Sequence, residues 1–239
     1  MKGSPTIPEV PVQMAKADVS ALVALARLVE VLSIAFSSAS EEQRRLLVSQ
    51  EMLLDLEALM SEAGIPVAKI TELSVAARES IAATCQAQGE DSAAVRYRRE
   101  MSRLFYQPPR MAVLEGRKWV TKKHRTAESA EIGERAAVAR EYARQGLRVV
   151  PGASEAEDSL QYELEYMAWL LDGEADALAA GDLARVLQLR TFRRQFAAHH
   201  LGEFCRGVSV FVEDHSEDPV LLYYARLLYL VANLLVLPL

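Results

Sequence analysis

The side chains best suited to chemistry are three histidines, His199, His200 and His215, two cysteines, Cys85 and Cys205, and scattered carboxylates. A metal site built on helices uses a Glu-x-x-His or His-Glu-x-x-His spacing, and neither pattern joins Glu163 or Glu213 to these histidines. Adjacent histidines project about 100° apart on a helix, so His199 and His200 are poorly placed to share one ion. Cys205 lies at i, i+5 from His200, which is poor geometry for a nucleophile and its base on one helix. Neither a Gly-x-Ser-x-Gly elbow nor a Gly-rich phosphate loop occurs. The expectation is a protein with no catalytic residues, no metal and no cofactor. His200 then reads as a satisfied core histidine, and His199 and Cys205 as structural.

A second group of residues suits recognition instead. Glu155, Glu157, Asp158, Glu163 and Glu165 cluster where a helix begins. Along that helix Leu160, Leu164, Met167 and Leu171 form a stripe spaced to face a core, and Tyr162, Tyr166 and Trp169 form an aromatic one. Carboxylates pair bidentately with arginine, so acids beside an apolar groove suit a cationic, partly apolar peptide. A helix laid in such a groove is one familiar mode. Tyr106 and Trp119, flanking a Pro-Pro pair, offer a second wall. Plainer roles are open for each feature. Asp158 with Gln161 three residues on is a capping-box pattern, the aromatic stripe suits a core, and an acidic run suits a solvated face.

These residues need a frame. The chain of 239 residues can bury a full core, as one helical domain or two small ones; it is 51% hydrophobic and 25% charged. A net charge of −6 argues against a nucleic-acid partner, and two cysteines fit a reducing cytosol. Residues 1–17 read as a disordered tail, not a secretory signal. The apolar stretch LLYYARLLYLVANLLVLPL is interrupted by Arg226 and Asn233, and its clean part is shorter than the roughly 20 residues of a span. It is expected as a buried helix, without stable membrane insertion.

Apolar spacing predicts helices over 18–37, from Ser40 to Gly64, on to Gln88, and over 92–105. Further helices are predicted at 130–146, 159–171, 183–212 (with a possible break) and 218–236. Between them, 106–129 carries Pro108, Pro109 and the basic run from Arg117 to Arg125, and reads as a hinge or extended loop. No strand alternation and no internal repeat is visible.

Three segments resemble the TorD/DmsD/NarJ family of redox-enzyme maturation chaperones. They are LFYQPPR (104–110) with LEGRKWV after it, then Tyr142, Gly146 and Leu147 with EDSLQYELEYMAWL (157–170), and last FAAHHLGEF (196–204). Leu104, Pro108, Pro109, Leu160, Leu164, Met167, His200, Leu201 and Phe204 carry the motifs. Glu157 stands where the family has proline, Ser159 for its histidine, Tyr166 for its phenylalanine and Phe204 for its tryptophan. The resemblance implies an all-α, single helical-bundle domain over 18–239, of about ten helices, with the proline-bearing hinge near its middle. It further implies a cytoplasmic chaperone, monomeric or a domain-swapped dimer, that binds the twin-arginine leader of a molybdopterin oxidoreductase precursor. Asp158, Ser159, Glu163, Tyr162, Tyr166, Tyr106, Trp119 and Glu115 are the expected peptide-binding residues. A helical small-molecule sensor or scaffold is the alternative.

Overall fold

The computed structural model describes residues 12–107, 113–119, 127–150, 153 and 155–236; Pro108, Pro109, most of the expected tail and much of the hinge lie outside them. The described residues form ten α-helices and no strand, as expected of an all-α bundle. They are α1 (Val12–Ala35), α2 (Glu41–Leu47), α3 (Gln50–Glu62), α4 (Thr71–Gln88), α5 (Ser92–Phe105), α6 (Ala127–Arg144), α7 (Leu160–Ala179), α8 (Leu183–Phe196), α9 (Gly202–His215) and α10 (Pro219–Val236).

The expected boundaries shift where local hydrogen bonding overrides apolar spacing. The helix predicted from Ser40 to Gly64 is two. Ser40 caps α2 in a full capping box with Gln43, and Ser49 then caps α3 by accepting from the Met52 amide. The helix predicted over 183–212 is also two, joined by a π-helical turn, Ala197–Leu201. α1 starts at Val12, inside the expected tail. Ser159, not Asp158, caps α7, which runs on to Ala179 because Ala175 and Leu178 keep packing against the core.

The core is a helix stack around α1, α7 and α10. Leu22, Leu25, Leu28, Val29 and Leu32 on α1 are all buried, with α1 lying along α7. Leu160, Leu164, Met167 and Leu171 are fully buried, as their spacing predicts. α10 packs on α9 and α4 and touches α1, α5 and α8. By length and composition it is the described helix apolar enough to cross a membrane, but 61% of it is buried inside the protein. Its tyrosines do more than fill space. The Tyr224 hydroxyl donates to the Leu47 carbonyl at 2.7 Å, at the end of α2, and both residues are buried. Removing that donor leaves a buried acceptor unpaired. Tyr224→Phe is therefore expected to lower the unfolding free energy by about 1–3 kcal/mol in urea denaturation. An unchanged midpoint would show that the Leu47 carbonyl finds another donor.

Candidate functional site

The site begins with a short strap, residues 113–119, that docks on the start of α7. Gly116 N–H donates to the Asp158 carbonyl at 2.7 Å, and Glu115 pairs with Ser159 in an isolated antiparallel bridge. Gly116 is needed there because a Cβ would stand 2.7 Å from Glu163 Oε1. Farther along, Trp119 lies flat in a notch on α9. A Cβ on Gly207 would sit 2.2 Å from the indole ring, and the indole N–H donates to the Val113 carbonyl at 2.7 Å. The strap thus ties part of the expected hinge to α7 and α9.

Beneath the strap lies a layer of acids. Asp158 and Glu163 are 0% exposed and Glu134 on α6 is 1% exposed. His200, on the π-helical turn, lies 2.5 Å from Glu134 through Nδ1. Burial first, and then the negative charges of Glu134 and Asp158, push the Glu163 carboxyl well above the ordinary carboxylate range. Among the described residues neither Glu163 oxygen has a hydrogen-bond partner, which fits an acid that keeps its proton. Burial, then the nearby Glu163, likewise pushes up the Cys205 thiol. The structure brings Glu115, Asp158, Ser159 and Glu163 together, and places all but the half-buried Glu115 away from solvent.

A groove opens on the next face of α7. A cavity of about 280 Å³ is bounded by Tyr162, Glu165, Tyr166 and Trp169 on one side and by Tyr142 and residues 147–150 on the other. Tyr166 and Trp169 stack, with centroids 6.2 Å apart and planes 9° from parallel. Behind them Tyr166 meets Phe196 edge-on at 4.8 Å, and Phe196 meets His200 at 5.1 Å. An aromatic row therefore runs from the groove to the acid layer. Glu165 is exposed and accepts from the Gln161 amide at 2.9 Å. Burial raises the Tyr162 hydroxyl, and the negative charges of Glu165 and then Glu155 add to it.

Tyr162 and Tyr166 line the cavity, whereas Tyr106 and Trp119 do not. Burial first, and then the negative charge of Glu155, raise the Tyr106 hydroxyl. The second wall is the segment Leu147–Val150, which sequence reasoning left inside a loop. Its signal was present. Gly146, at φ +73°, ends α6 in a Schellman turn, with Leu147 N–H donating to the Tyr142 carbonyl, and this aims LRVV across α7. Elsewhere, Glu174 accepts from Arg190 at 2.6 Å and Arg193 at 2.9 Å, a buried ion pair that ties α7 to α8. Among the described residues, no group of three His, Cys, Asp or Glu side chains is placed to hold a metal ion.

The match to known proteins is with a family of chaperones of redox-enzyme maturation. The chain is a member of the nitrate reductase delta subunit family, whose model matches residues 69–207. That match bears out the family resemblance and spans the strap, α7 and the π-helical turn. No curated protein and no solved structure matches the chain.

The buried acid sets a pH dependence. Glu163 is raised in the folded state, so the unfolded chain loses that proton first as pH rises. Its contribution is complete below the ordinary carboxylate range and declines as pH climbs toward the raised value. Glu163→Gln, which mimics the protonated acid, is expected to be more stable than the parent at about pH 8 and nearly equal at about pH 4. Urea midpoints across that range test it; parallel curves for the two proteins would place the proton elsewhere.

Proposed function

We propose that this chain is a cytoplasmic chaperone that holds the twin-arginine leader of a molybdopterin oxidoreductase precursor until its cofactor is in place. The observation that carries the reading is the groove on α7, with aromatic walls and carboxylates at one end. An arginine pair suits Glu165 and Glu155, because guanidinium binds carboxylate bidentately and stacks on aromatic faces such as Tyr162. The apolar residues that follow the pair suit the space between Trp169, Tyr166 and Val149. The net charge of −6 favours a cationic peptide over nucleic acid. Proofreading would follow from occupancy: a covered leader is withheld from export.

In this reading Asp158, Ser159, Glu163 and Glu115 are positioning residues. Ser159 caps α7 and the strap fixes its first turn, so together they set the direction of Tyr162.

Calorimetry with a synthetic peptide carrying an Arg-Arg pair and an apolar run tests the site. Trp169, at 37% exposed, is the most exposed aromatic side chain of the cavity. Trp169→Ala is expected to weaken binding by about tenfold, or about 1.4 kcal/mol. Glu165→Gln is expected to weaken it several-fold and to flatten its salt dependence. Binding equal to the parent in both variants would remove the peptide from this groove.

A further inference from the structure

We infer that the client peptide adds to residues 147–150 as an extended strand, placing one or two side chains in the cavity on α7. The inference rests on the functional reading above and goes on to fix the conformation of the bound chain.

Burial along the segment alternates as it does in a strand. Leu147 and Val149 pack against the core, while Arg148 is exposed and Val150 is 74% exposed. Its internal hydrogen bonds lie at its two ends. Leu147 N–H donates to the Tyr142 carbonyl at 3.0 Å, and the Val150 carbonyl accepts from Ala153 N–H at 3.1 Å. Between those bonds the N–H groups of Arg148, Val149 and Val150 donate to nothing in the described structure. A half-buried segment with open donors and acceptors is a template for strand addition, in which the backbone supplies affinity and alternate side chains supply specificity.

The dimensions favour this mode over a bound helix. A helix with its side chains is about 10–12 Å across and needs a groove for anchors on successive turns. A cavity of about 280 Å³ has room for one or two large side chains. Charge sets the occupant's chemistry. Glu165 lines the cavity beside Tyr162, opposite Arg148 of the segment itself, and the negative charges of Glu165 and Glu155 both act on Tyr162; among the described residues neither carboxylate is in a salt bridge. A cation on the peptide therefore belongs at the Tyr162 end, with an apolar side chain reaching in beside Trp169.

The test uses the full chain and three forms of a synthetic peptide with an Arg-Arg pair followed by an apolar run. One form is unmodified, and the others carry N-methyl groups at alternate positions in the two opposite phases. Strand addition requires one phase to lose at least tenfold in affinity while the other stays within about twofold of the unmodified peptide. It also requires strand-like carbon shifts in the labelled peptide, and slowed exchange of the Arg148, Val149 or Val150 amides on binding. Equal losses in both phases with helical shifts would overturn the inference and leave the functional reading standing. No binding of the unmodified peptide would sink that reading as well. A dimer paired through 147–150 that the peptide fails to dissociate would assign the edge to a second copy and overturn the inference.

Discussion

The structure turns on the docking of a few strap residues over the first turn of α7. Two backbone contacts, Gly116 to Asp158 and Glu115 to Ser159, close that turn against solvent. Once closed, it encloses Glu163 without a hydrogen-bonding partner among the described residues, and burial favours the acid keeping its proton. A charged Glu163 there would face the negative charges of Glu134 and Asp158. Neutralising one member of an acidic layer is what lets α6, α7 and the strap approach so closely. The helix start that this fixes also aims Tyr162 and Glu165 outward.

The groove and the acid layer are two ends of one packed row. Trp169 stacks on Tyr166, Tyr166 meets Phe196, and Phe196 meets His200, which reaches Glu134. The extra residue of the π-helical turn swings His200 to that carboxylate. Such turns cost regular hydrogen bonding and persist where the displaced side chain has a specific partner. Across the same helix, Glu174 fixes Arg190 and Arg193 of α8. α7 is therefore held on its inner faces by ionic and aromatic contacts, and its outward face is rigidly presented.

Much of this was legible in the sequence, for reasons that differ by element. α5 matched its predicted bounds because Gly89 stops the preceding helix and the chain between turns is strongly two-faced. The α1 and α7 stripes were read correctly because burial follows the helical period. The break at Ser49 was missed because apolar spacing continues across it while a single hydroxyl redirects the backbone. Asp158 competed with Ser159 for the cap, and only the strap's hydrogen bonds decide between neighbours. Nor does the string of acids from Glu155 to Glu165 say which point inward; Glu163 is enclosed and Glu165 is wet because they sit two residues apart on a helix. The family match over 69–207 supports the motifs, but it does not distinguish these orientations.

The place of α10 has a consequence for timing. Tyr224 seals the end of α2 from 177 residues away, and the helix packs on α9, α4, α5 and α1. Contacts so distant along the chain form late and slowly, since a large loop must close before they return any free energy. During synthesis the apolar side of α1 emerges long before its cover exists. The faces of α2, α4 and α9 that α10 covers thus stay open until the tenth helix has emerged from the ribosome.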